Sequence, residues 1–123
     1  MPKRRISSFP IALLAAAVLL GACGGEEGGE IPPMLRTRFE TEMKTILREV
    51  KAAQETAAAL EGVYLELDRL QGRFFTRPVP ETYDLSLGDV SADGFTARIE
   101  HRATGLSCRL QVGGGGAGVP SCR

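Results

Sequence analysis

The chain has three cysteines, and they stand in different sequence surroundings. Cys23 ends the stretch Leu20-Gly21-Ala22-Cys23, directly after an apolar run, whereas Cys108 and Cys122 lie near the C-terminal end. The latter two are too far apart for the Cys-x-x-Cys spacing of thiol redox proteins. A zinc site would need three or four Cys or His ligands close together. We therefore predict neither a redox centre nor a metal site, and no cofactor.

His101 is the only histidine, and it would be the natural general base of an enzyme. A catalytic histidine needs a nucleophile and an orienting group within reach. The nearest polar residues, Glu100 and Ser107, fall on the opposite side of the alternating pattern that contains His101. This alternation favours a position for His101 at the rim of the core. We therefore predict that the protein is not an enzyme.

The first 22 residues have the pattern of an export signal. Met1 to Arg5 is basic and Phe9 to Leu20 is almost wholly apolar. This apolar run of about 12 residues is shorter than the roughly 20 that a membrane-spanning helix needs, and it is typical of a signal peptide. With the junction at Cys23, it resembles the lipobox of bacterial lipoproteins. The resemblance implies cleavage before Cys23, lipidation of its thiol and a membrane anchor of two or three acyl chains, which is stable where a single chain is marginal.

Residues 23–33 read as a lipidated cysteine and a flexible tether, since glycines alternate with Glu26, Glu27 and Glu30 and offer nothing to bury. These carboxylates have no rigid cage that would favour calcium. Gly24 stands where an aspartate would resemble the inner-membrane retention signal of enteric bacteria. We therefore expect a location in the cell envelope, on the periplasmic or outer face of a membrane, with the outer membrane favoured.

Charge and composition argue against a nucleic-acid partner. The whole chain has 15 basic and 15 acidic residues, and the signal removes only basic ones, Lys3, Arg4 and Arg5. The mature chain is therefore slightly acidic and shows no basic face. Tryptophan is absent and aromatic residues make up 6% of the chain, so a base-stacking platform is not expected.

Residues 34–123 predict one small α+β domain. Apolar residues recur in steps of three and four from Leu35 to Leu60, which predicts a long helix over residues 34–61 that ends at Gly62. Three alternating runs follow, and they predict a three-stranded antiparallel meander with one apolar face. Packing the apolar stripe of the helix on that face gives a two-layer domain.

The C-terminal segment predicts a disulfide. If lipid occupies Cys23, Cys108 and Cys122 remain as a pair in an exported protein, where disulfides form. Cys108 falls on the inward side of the last predicted strand, and the glycine-rich stretch Gly113 to Gly118 reads as a flexible loop that lets Cys122 fold back. A bridge over such a loop would contribute about 3 kcal/mol.

The order of these features is similar to the globular domain of type IV pilins and pseudopilins. The shared elements are a helix with Ala53-Gln54-Glu55-Thr56, its ending at Gly62-Val63-Tyr64, the strand residues Ala97 to His101, and a C-terminal Pro120-Ser121-Cys122. The departure is at the start, because pilins continue from their leader directly into a long apolar helix. Here the apolar run precedes the processing site, so the resemblance implies a pilin-like domain on a lipid anchor.

Two functions follow from this reading. The first is a structural or protein-binding role in the cell envelope. The helix, at about 42 Å, is twice as long as the strands, so we expect the sheet to cover Ile46 to Leu60 and to leave Leu35, Phe39 and Met43 as a surface for a protein partner or for self-association. The alternative is a small-ligand carrier or sensor, with a pocket below Phe74 and Phe75.

Overall fold

The structure, a computed structural model, describes residues 31–123, and Pro32–Arg123 form one compact unit. Its elements are α1 (Pro33–Glu61), α2 (Leu67–Leu70), β1 (Tyr83–Gly88), β2 (Phe95–His101), β3 (Ser107–Gly113), β4 (Gly116–Ala117) and β5 (Ser121–Cys122). The predicted signal peptide 1–22, the lipidation of Cys23 and most of the tether lie outside the described residues.

Helix α1 begins and ends where the sequence indicates. Pro33 is its first residue, a position where the missing N–H of proline does no harm. Gly62 ends the helix with a φ of 82°, and its N–H donates to the carbonyl of Ala58 at 2.8 Å. Glycine adopts this left-handed conformation without the steric cost of a side chain. The predicted helix over residues 34–61 is confirmed.

The sheet is antiparallel and has more strands than the predicted three. Strands β1, β2 and β3 form the expected meander, with Leu85 opposite Ile99 and Ile99 opposite Cys108. The short strands β4 and β5 both pair with β3, which the sequence analysis missed. The architecture is α+β, with one layer of helix and one layer of sheet.

The glycine stretch after β3 is a hairpin rather than the flexible loop that we predicted. Gly113 pairs with Gly116, and the N–H of Gly118 donates to the carbonyl of Gln111 at 2.9 Å. Gly113, Gly114 and Gly115 all have positive φ. The glycines therefore allow a tight turn whose two arms hydrogen-bond, where we had expected freedom of movement.

Gly94 fixes a close backbone contact beside this hairpin. Asp93 and Gly94 end the loop between β1 and β2, and they pack against Val112 and Gly113. A Cβ atom on Gly94 would clash with the carbonyl oxygen of Val112. The loop between β1 and β2 thus needs glycine where it meets the end of β3.

The core lies between α1 and the inward face of the sheet. Its helical part runs from Met43 to Ala57, and its sheet part includes Phe95, Ile99 and Leu110, which are all buried. We had expected the sheet to cover Ile46 to Leu60, but Leu60 is 73% exposed and Met43 is fully buried. The covered part of the helix is therefore shifted by about one turn towards the N-terminus. Tyr83 at the start of β1 contacts Glu42, and His101 at the end of β2 stacks on Phe39.

Candidate functional site

The three residues of the predicted partner surface on α1 differ in their exposure to solvent. Leu35 is 42% exposed and its neighbour Met34 is 85% exposed, so the first helical turn offers apolar side chains to solvent. Phe39 is half-buried and Met43 is fully buried. Met43 therefore belongs to the core, and its assignment to a partner surface was wrong. What remains is the segment that we call the helix tip, Met34 and Leu35.

An aromatic cluster at the end of the sheet covers Phe39. The rings of Phe39 and His101 stack with their centroids 4.0 Å apart, and Tyr83 approaches His101 at 5.3 Å. His101 is 6% exposed, and its Nδ1 lies 2.8 Å from the hydroxyl oxygen of Thr104. The same hydroxyl accepts the N–H of Leu106. These contacts fix the imidazole at the rim of the core and tie α1 to the sheet.

Tyr83 makes the polar contact of this cluster. Its hydroxyl donates to Oε1 of Glu42 at 2.7 Å. Burial, followed by the hydrogen bond and the charge of Glu42, raises the pKa of Tyr83 well above its usual value of 10.0. The neutral phenol is therefore the form that this fold stabilises.

The predicted disulfide between Cys108 and Cys122 is present. The two residues face each other in the pairing of β3 with β5, and their Cα atoms are 3.9 Å apart. On the next pair, Ser107 and Arg123 exchange two backbone hydrogen bonds. The bridge and these bonds together hold the last residues against β3.

The region of Phe74 and Phe75 contains a cleft and not a deep apolar pocket. We call residues 71–82, between α2 and β1, the connector. Phe75 is 3% exposed and fills the space below it. The cleft beside it measures about 320 Å³ and its walls include Glu49, Thr56 and Arg77. An ion pair of Arg77 with Glu49 crosses from the connector to α1. The connector is therefore fastened to the helix at this point.

A second and larger concavity lies on the outward face of the sheet. It measures about 530 Å³, and three arginines line it, Arg98, Arg109 and Arg123. The alternation of buried and exposed residues in β2 and β3 puts Arg98 and Arg109 on the outward side, but no such pattern indicates that Arg123 joins them. The pairing of β5 with β3 brings Arg123 to this face.

Gln54 is fully buried, although the sequence analysis names it only within the helix motif that resembles pilins. Its side chain amide donates to the carbonyl of Leu65 at 2.8 Å, and its oxygen accepts the N–H of Leu65 at 2.9 Å. The signal was available, because Gln54 falls on the apolar stripe between Val50 and Ala57. A polar residue in such a stripe indicates a buried partner.

No protein-family model, no curated protein and no solved structure matches this chain. Within residues 31–123, no helix has the length and apolar character needed to cross a membrane. The same part of the chain contains no group of three His, Cys, Asp or Glu residues arranged to hold a metal ion.

Proposed function

We propose that this chain is a non-enzymatic, lipid-anchored protein of the cell envelope, whose pilin-like domain has a structural or protein-binding role. The observation that carries the binding role is the helix tip. Residues 32–38 are all exposed, whereas the core begins only at Met43. Met34 and Leu35 therefore present apolar surface on a regular helix that already exists before a partner arrives.

The lipid anchor rests on the sequence Leu20-Gly21-Ala22-Cys23 after a short apolar run. The disulfide adds independent support for export, because such bonds persist in oxidising compartments. A thioether-linked lipid on Cys23 would attach the chain to the membrane through the tether. The folded domain would then remain accessible to other envelope proteins. The outer membrane is the favoured location, since Gly24 follows the cysteine.

The alternative role, a small-ligand carrier, has less support than the protein-binding role, because the region below Phe74 and Phe75 lacks the expected deep pocket. A carrier needs a deep cavity that surrounds most of its ligand. Phe75 occupies the space below the connector, and the ion pair of Arg77 with Glu49 spans the cleft. A protein partner at the helix tip is therefore the better supported role.

The anchor is tested by changing Cys23 to Ser and fractionating cells with a detergent phase. We expect the wild-type chain in the detergent phase, with a mass that includes the lipid, and the variant outside it without that mass. Gly25→Ser is the matched control, because it also places a serine at the start of the mature chain but keeps Cys23, so it should stay lipidated. A variant that keeps its detergent partition and mass would refute the anchor.

The binding role is tested by the double variant Met34→Ser, Leu35→Ser. Both side chains are exposed, so the melting temperature should change by no more than a degree or two. We expect loss of a crosslinked species that wild-type cells contain. If the crosslinking pattern is unchanged, the helix tip is not the contact surface.

A further inference from the structure

The groove on the outward face of the sheet contains a local excess of positive charge. Its floor is formed by β2 and β3, and the segment from Gly116 to Arg123 borders it. No acidic side chain lines it, whereas Thr96, Ser107 and Ser121 contribute hydroxyl groups. The chain as a whole has equal numbers of basic and acidic residues. The charge of the groove is therefore a property of this face and not of the protein's composition.

The strand register places the three arginines side by side, and we call Arg98, Arg109 and Arg123 the arginine row. Arg98 stands directly opposite Arg109 across β2 and β3. Ser121 stands opposite Arg109, and Arg123 follows two positions later on the same face. Directly opposed side chains have Cβ atoms about 5 Å apart, and diagonal neighbours about 7–8 Å apart. The row is therefore short enough for one small ligand to contact all three.

Within the described residues, an acidic side chain pairs with only one arginine of the row, Arg98. Glu100 reaches Arg98 only at 3.9 Å, and both side chains are more than a third exposed. Among the ion pairs formed within residues 31–123, none includes Arg109 or Arg123. Like charges directly opposed across two strands destabilise a sheet. An anion between the guanidinium groups would remove this repulsion.

We propose that this groove binds a small soluble ligand that carries two linked phosphate groups. Guanidinium groups donate to such oxyanions in paired hydrogen bonds. A phosphate has three oxygens that can accept, and the hydroxyl groups of Thr96, Ser107 and Ser121 with the amide of Gln111 supply further donors along the walls. The volume of about 530 Å³ is that of a small-molecule site. The proposed ligand binding depends neither on the lipid anchor nor on the helix tip.

The probe for this site is inorganic pyrophosphate, titrated calorimetrically into the full chain in detergent at low ionic strength. We expect saturable binding that weakens as salt is added, because exposed charges are screened. Arg109→Gln removes the central guanidinium and should weaken binding about tenfold or more. Arg48→Gln is the matched control, since Arg48 is an exposed arginine on α1, which packs on the other side of the sheet.

A second readout shows whether Arg109→Gln acts through binding or through the fold. Without ligand, this variant should melt at the same temperature as wild type or slightly higher, because it removes a like-charge pair. Pyrophosphate should raise the melting temperature of wild type and of Arg48→Gln, but not that of Arg109→Gln. No saturable binding, or equal affinity in Arg109→Gln, would refute the site.

Two further probes define the ligand class. Citrate carries carboxylates in place of phosphates, and equal affinity for citrate would overturn the preference for phosphate. Vesicles of phosphatidylglycerol carry the phosphate on a lipid headgroup. Binding to these vesicles without binding to pyrophosphate would overturn the proposal of a small soluble ligand.

Discussion

Helix α1 has two parts that differ in what holds them. The middle part, from Met43 to Ala57, contains six buried apolar residues and the buried Gln54. The first part, from Pro33 to Arg38, has no buried residue and is exposed throughout. Both parts are regular helix with apolar side chains on one stripe. Periodicity therefore identifies the stripe, and only tertiary contacts determine which part of it is core.

The largest difference should appear when the same leucine truncation is made in both parts. Leu47 is fully buried and Leu35 is 42% exposed. Leu47→Ala should lower the free energy of unfolding by about 2–5 kcal/mol, because it removes buried contacts and leaves a cavity. Leu35→Ala should change it by no more than about 0.5 kcal/mol. Denaturant unfolding of the two variants measures both values, and similar losses would mean that the helix tip is part of the core.

The next largest effect should come from the disulfide, which holds β5 against β3. Cys122→Ser should lower the free energy of unfolding by about 3 kcal/mol, since it releases the constraint on the unfolded chain. Thermal melts with and without reductant measure the effect, and wild type in reductant should match the variant. Two freely alkylated thiols in the native domain would contradict the bridge.

Gln54 differs from the other buried residues of α1, because it contributes to stability through hydrogen bonds and not through apolar contacts. Gln54→Ala leaves the N–H and the carbonyl of Leu65 without their partner and should cost about 2 kcal/mol. Glu55→Ala is the matched control at the next, exposed position. Urea unfolding of both variants compares them, and equal stabilities would show that water replaces the amide without loss.

The contact of Tyr83 with Glu42 lies where the two parts of the helix meet. Tyr83→Phe should cost about 1 kcal/mol at neutral pH. The raised pKa of Tyr83 means that the folded protein holds the phenolic proton more tightly than the unfolded chain does. The contribution is therefore complete below pH 10 and is lost as the pH rises above the unfolded value of 10.0.

Melting curves between pH 7 and pH 11 check this dependence. Wild type should lose stability above pH 10 more steeply than Tyr83→Phe, which has no phenolic proton at this position. Tyr64→Phe is the control for a general alkaline effect, since Tyr64 packs edge-on to Phe95 and its hydroxyl forms no hydrogen bond within residues 31–123. Parallel curves for wild type and Tyr83→Phe would refute the role of this proton.

Local sequence patterns predicted the main elements of the fold. The stripe from Leu35 to Leu60 and the stop at Gly62 determine α1, and the alternation in β2 and β3 determines which residues face the core. The inward parity of Cys108 also predicted the disulfide. These features depend on neighbours in the sequence, so they can be read without a tertiary structure.

The remaining features depend on contacts between distant residues. Phe39 is covered because His101, at the end of β2, reaches it across the two layers. Strands β4 and β5 have two residues each, and such short segments have no periodicity to detect. The arginine row forms only when the register of β2, β3 and β5 is known, which the separate strand patterns do not contain.

Site-specific photocrosslinking in cells tests most directly whether the helix tip is the contact surface. A photoreactive residue is placed at Leu35 in one variant and at Leu60 in another, because both leucines are exposed and lie at opposite ends of α1. We predict a discrete crosslinked product, a partner protein or a second copy of this chain, from position 35 and none from position 60. Equal products from both positions, or a product from position 60 alone, would contradict a contact surface at the start of the helix.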